Sequence, residues 1–150
     1  MPESAVFTLC PQDPTNTEWP DTSTCDGANG EGFTQDFETL LNEVLCTFLF
    51  VTVILVVKGK ETNLTSDGVV GALTVALTLF GLIMAGGKFG AAYNPAVGLS
   101  VTLWGYKQLD AAYILHYMYA YTVGPLLGGA LAGGFYNLHK RIAQDPDKAD

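Results

Sequence analysis

The chain has 150 residues and a formal net charge of −8, with 49% hydrophobic and only 15% charged residues. The length suits one domain, but water-soluble domains normally carry charge on about a quarter of their residues. The acidic balance argues against nucleic acid as a partner, which requires clustered Lys and Arg. Mean hydropathy is +0.26, and its uneven distribution along the chain decides the class.

Residues 1–37 read as a solvated acidic arm, mostly loop. They hold Glu3, Asp13, Glu18, Asp21, Asp26, Glu31 and Asp36, together with Pro2, Pro11, Pro14 and Pro20, and no Lys or Arg precedes Lys58. Neither a basic-then-apolar secretory signal nor an Arg-rich presequence is expected in residues 1–30. Cys10 and Cys25 lie in this arm, fifteen positions apart. Two readings stand: unpaired thiols, or a disulfide closing a small loop in an oxidising compartment, worth about 3 kcal/mol in the chain-entropy model. No His stands near either thiol, so no metal site is expected. Cys46, inside an apolar run, reads as a small packing residue.

The apolar domain covers residues 38–138, and a polar tail follows at 139–150. The first expected span is 38–57, long enough to cross about 30 Å of hydrocarbon, with Asn42 and Glu43 as its strongly polar members. Residues 68–86 form an uncharged second span, for which Ser66 and Asp67 supply the start signal. Residues 111–138 form the third, with Asp110 as a cap and His139, Lys140 and Arg141 at the negative end of the helix dipole.

Between the second and third spans, residues 91–104 are apolar but too short to cross. A helix over 94–104 would extend about 16 Å, half a bilayer. Asn94 suits its cap and Pro95 its first turn. Two readings remain, a half-helix dipping into the membrane or a short interfacial helix. Basic residues at Lys58 and Lys60, and again at Lys140 and Arg141, place both regions on the cytoplasmic side or its equivalent. The arm and the 87–110 connection then face the opposite side, although Lys88 and Lys107 lie there. The sequon at Asn63-Leu64-Thr65 falls in the wrong compartment for use.

Four segments carry a family resemblance. The run Glu43-Val44-Leu45-Cys46-Thr47-Phe48 matches a Glu-x-x-x-Thr-Phe opening, and an uncharged span with small residues follows. GGKFGAAYNPAVGLSV contains the Asn94-Pro95-Ala96 turn, and VGPLLGGALA begins at Val123. In this order the chain resembles the C-terminal half of the aquaporin and glycerol-facilitator family over about residues 38–138. The resemblance implies an all-α membrane fold with three transmembrane helices and one re-entrant half-helix, one of two inverted repeats. It also implies that Asn94 donates hydrogen bonds to passing solute at a positive helix end. Glu43 would then tie down the amides of the re-entrant loop; the alternative is a carboxylate snorkelling near the end of its span.

The chain departs from the family pattern in two ways. It shows one Asn-Pro-Ala motif and one half. Where the family's second half usually has a filter Arg, this chain has Val97. The other filter-equivalent positions fall on Leu82 and Ala91, which gives an apolar constriction without a positive barrier. His116, with Tyr113, Tyr117, Tyr119 and Tyr121, reads as an interfacial aromatic belt. Gly124, Gly128, Gly129 and Gly133 read as close-approach positions, within the fold or toward a partner.

No nucleophile–base set or phosphate loop is evident, so neither an enzyme nor a cofactor is expected. The functional expectation is a structural or accessory subunit without independent channel activity. Its partners would be the lipid bilayer and other membrane subunits in a hetero-oligomeric complex, for which an energy-transducing assembly is a natural host. The alternative is a channel for water or small neutral solutes, assembled with another half or as a homo-oligomer. The mitochondrial inner membrane and the plasma or vacuolar membrane are both compatible.

Overall fold

A computed structural model describes residues 32–59, 62, 67–109 and 112–144. Cys10, Cys25 and the sequon at Asn63 lie outside the described residues. All regular structure among the described residues is helical: α1 (Gly32–Lys58), α2 (Gly68–Gly86), α3 (Pro95–Leu109) and α4 (Met118–Gln144), with single 3-10 segments at Gly87–Phe89 and Ala112–Tyr117.

The end of α1 and the starts of α2 and α3 have local causes. Asp67 caps α2, its carboxylate accepting from Val69 N at 2.8 Å and Val70 N at 3.5 Å. That satisfies donors the first helical turn cannot pair internally. At the end of α1, Thr62 Oγ1 donates to Val56 O at 2.9 Å, while Gly59 N donates to Leu55 O at 2.8 Å. Asn94 caps α3: its Oδ1 accepts from Ala96 N at 2.9 Å, and its carbonyl accepts the first helical bond from Gly98 N at 2.8 Å.

Four boundaries differ from the sequence expectation, the last being the end of α4, which runs past 138 to Gln144 and so makes the start of the supposed tail helical. Helix α1 begins at Gly32, so the end of the supposed loop arm is helical. The added turns carry Asp36 to His116, whose Nε2 lies 3.0 Å from both carboxylate oxygens. Helix α3 continues past Trp104 to Leu109, a length of about 22 Å. Gly105 continues the buried face of Gly98 and Thr102, so the helix keeps its packing partner beyond the expected stop. The third apolar segment opens as a 3-10 turn at Ala112–Tyr117, and α-helix begins only at Met118.

Helices α1 and α4 pack along each other as the central pair, α2 lies against α1, and α3 against α4. Glycine makes the central contact possible. A methyl on Gly124 would stand 2.6 Å from Glu43 Cβ, and one on Gly128 would meet Val44 O and stand 2.9 Å from Thr47 Cβ. Gly129 and Gly133 have nothing within 4 Å of such a methyl. Those two therefore meet no close neighbour inside this chain, because they lie about 100° and about 140° around α4 from Gly128.

The interior is small and partly polar. Thr39, Glu43, Thr47 and Thr102 are buried with Ala92, Tyr117, Ala120, Tyr121 and Ala132. Large apolar side chains point outward instead: Leu73, Leu77, Phe80 and Met84 on α2, Leu126, Leu131 and Phe135 on α4. Asp36–Lys58 and Gly68–Gly86 are long and apolar enough to cross a bilayer, yet only 11% and 6% of their most apolar windows are buried. A core helix of a soluble protein would be mostly covered. Apolar surface outside and polar groups inside suit hydrocarbon as the solvent.

Candidate functional site

The connection from α2 to α3, residues 87–94, is where buried polar chemistry collects. Gly90, Ala91 and Tyr93 adopt positive φ of 102°, 50° and 48°. For residues with a Cβ this left-handed region costs about 1–2 kcal/mol each, so the conformation has to be imposed from outside. Glu43, fully buried on α1, does so at the centre: Ala92 N donates to Oε1 and Tyr93 N to Oε2, both at 2.8 Å. A strained loop turns its amides inward, and a buried carboxyl group uses both oxygens to accept them.

Two tyrosines complete the frame. Tyr93 donates its hydroxyl to Leu82 O at 2.9 Å, and Tyr121 of α4 donates to Phe89 O at 2.7 Å. Gly86 admits the first of these, since a methyl there would overlap the Tyr93 hydroxyl and stand 2.7 Å from Asn42 Oδ1. Asn42 Oδ1 also accepts from Cys46 Sγ at 3.4 Å, so Cys46 sits in the polar floor beside the loop as well as in the apolar run.

Asn94, Pro95 and Ala96 follow directly, and Asn94 is exposed. Its Oδ1 accepts from Ala96 N, which commits that end of the amide to the α3 cap. Of the three residues that the resemblance sets at filter positions, Leu82 is half-buried on α2 and joined to the loop through its carbonyl. Ala91 is half-buried at positive φ. Val97 is 42% exposed on the first turn of α3. None of the three offers a polar side chain.

The fold thus brings Glu43, Leu82, residues 89–93 and the Asn94 cap together. His116 stands apart, paired with Asp36 and edge-on to Tyr117 at 4.9 Å between ring centroids. Sequence reading placed His116 in an aromatic belt and did not find Asp36, which lies eighty residues away. It also missed the tyrosine hydroxyl bonds and the left-handed backbone. Gly90 was the one local signal available for that backbone.

Two helices long and apolar enough to cross a bilayer, with large apolar side chains outward and an irregular loop pinned by a buried carboxyl group, fit the polytopic membrane class. The family model described as major intrinsic protein matches residues 21–136. The chain is 32% identical to aquaporin TIP1-1 of Zea mays over 109 residues, covering 68% of this chain and 38% of that protein. It is 32% identical to the glycerol uptake facilitator protein of Bacillus subtilis over 114 residues, covering 73% of this chain and 40% of that protein. A third relative, the probable aquaporin TIP3-2 of Arabidopsis thaliana, is 34% identical over 98 residues, covering 65% of this chain and 34% of that protein. No solved structure matches. The chain belongs to the major intrinsic protein family and is an integral membrane protein of channel-like origin. It spans about two fifths of the length of the first of these relatives.

Proposed function

We propose that the chain is an aquaporin-like half that serves as a structural or accessory subunit of a larger membrane complex, without channel activity of its own. In this reading α1, α2 and α4 cross the bilayer. Helix α3 enters it and stops, being about 22 Å long against about 30 Å of hydrocarbon. Glu43 holds the re-entrant loop, and the Asn94 end of α3 lies at membrane depth.

The observation that carries the reading is the apolar character of Leu82, Ala91 and Val97 beside a loop held by Glu43, Tyr93 and Tyr121. A selective water path requires hydrogen-bonding groups and a positive barrier at its neck. A scaffold requires only the brace. Neighbouring membrane subunits are the proposed partners, together with lipid.

A second reading has one observation in its favour. Asn94 is exposed and its Oδ1 accepts from Ala96 N, so its Nδ2 group can act as the donor to a permeating solute. In that case the chain contributes one wall of a channel for water or small neutral solutes, closed by another half.

Proteoliposome swelling with the purified protein separates the two. The structural reading expects water permeability equal to that of empty vesicles and comigration with a large heteromeric complex on native gels. Rapid flux through the protein alone overturns it. Val97→Arg adds a second arm: a packed neck loses assembly when it must bury an unpaired charge, whereas a wet lumen accepts the charge.

A further inference from the structure

Besides the bond from its own Tyr93 to Leu82 O, the loop at 87–94 is braced by side chains of α1 and α4, and only the first of these, Glu43, belongs to the proposed function above. The other is Tyr121, fully buried on α4, which touches the segment at both ends. At the upstream end its hydroxyl donates to Phe89 O at 2.7 Å. Gly90 is pressed against the same ring: a methyl there would overlap the hydroxyl and stand 2.7 Å from Cζ. At the downstream end the backbone of Tyr121 faces Gly98 on α3, where a methyl would overlap the Tyr121 carbonyl oxygen and stand 2.9 Å from its Cβ.

Sequence explains why that carbonyl is open to a neighbour. Pro125 lies four residues on, inside α4, and has no N–H to return to it. A carbonyl released from the helical ladder and a glycine without a side chain allow two helix backbones to approach closely. Gly98 N in turn donates to Asn94 O, so the position of Gly98 is the position of the α3 cap.

We propose that Tyr121 is the positioning residue for the Asn94 end of α3. Its hydroxyl locates the loop where it leaves α2, and its backbone locates the first turn of α3, so one residue of α4 sets the distance between them. Glu43 determines the conformation of the loop, whereas Tyr121 determines where the loop sits. The proposal rests on the reading of this segment as the inserted element, and it holds for a scaffold and for a channel wall alike.

The test is residue-resolved amide hydrogen exchange of the full chain in lipid nanodiscs, comparing wild type, Tyr121→Phe and Gly98→Ala. Tyr121→Phe keeps the ring and removes the hydroxyl. The expected result is exchange about tenfold faster at Gly90, with Ala92 and Tyr93 changed less than about twofold because Glu43 still holds them. Gly98→Ala is expected to speed Ala96 and Gly98 by a similar factor and to leave Gly90 unchanged. Unaltered exchange at Gly90 in the first variant, or at Ala96 and Gly98 in the second, overturns the proposal. So does equal acceleration at Thr47 and Gly128, which would mean general loosening of the α1–α4 pair. Absence or presence of water flux bears on the proposed function alone and leaves these exchange outcomes decisive.

Discussion

Glu43 and Ala92, forty-nine residues apart in the chain, are joined by a 2.8 Å hydrogen bond from the Ala92 amide to Oε1, and the neighbouring Tyr93 amide meets Oε2 at the same distance. The pair links the middle of one apolar helix to a loop between two others. It explains how the strained backbone is held: both amides have an acceptor placed by a rigid helix.

Glu43→Gln keeps the size of the side chain but turns one acceptor into a donor. One loop amide then faces an NH2 group and loses its partner. The expected loss of stability is about 1–3 kcal/mol, the cost of a buried unsatisfied donor. Chemical denaturation in detergent reads it, and a change below about 0.5 kcal/mol would show that the loop holds itself.

Gly128 and Gly129 are neighbours with opposite surroundings. Gly128→Ala drives a methyl into Val44 O and the Thr47 side chain, and is expected to cost about 1–3 kcal/mol by overpacking. Gly129→Ala meets nothing within 4 Å and is expected to be neutral or to stabilise α4 by up to about 1 kcal/mol through helix propensity. Thermal unfolding of the two variants side by side checks the contrast. A Gly129→Ala variant as damaged as Gly128→Ala would point to a partner seated on that face.

Ala91 sits at φ 50°, a region glycine enters without a Cβ clash. Ala91→Gly is expected to raise stability by about 0.5–1 kcal/mol, the relief of strain exceeding the added freedom of the unfolded chain. Measured midpoints of denaturation should shift upward. A downward shift would mean that the Cβ makes a contact worth more than the strain.

The Asp36–His116 pair ties the start of α1 to the turn before α4 at 3.0 Å, with the His side chain 56% exposed and the Asp 23%. Such a pair is expected to couple by about 0.2–1 kcal/mol and to weaken with salt. A double-mutant cycle with Asp36→Asn and His116→Ala at low and high ionic strength reads the coupling directly. A value unaffected by salt would place the pair in a drier setting than its exposure indicates.

Much of the architecture was legible because hydropathy and helix signals act locally. The uncharged run 68–86 behind Asp67 specifies a capped helix wherever it is placed, and Asn94-Pro95 specifies a helix start. Glu43, by contrast, was singled out by resemblance, and its two amide donors could not be read from neighbours in the chain. The left-handed backbone at Ala91 and Tyr93, the Tyr121–Phe89 bond and the Asp36–His116 pair left no periodic trace, because each depends on elements that meet only after folding.

The sequence by itself determined a strongly apolar helical chain with a segment too short to cross, residues 91–104, between its second and third long apolar runs, since transfer free energy and capping depend on residue type and immediate neighbours. Only the tertiary structure decided which polar groups inside the bundle answer one another, and which glycines lie at a helix contact rather than on the open face of α4. A hydrogen bond and a close backbone approach are properties of distance between separate elements, and a distance of that kind is absent from the order of residues.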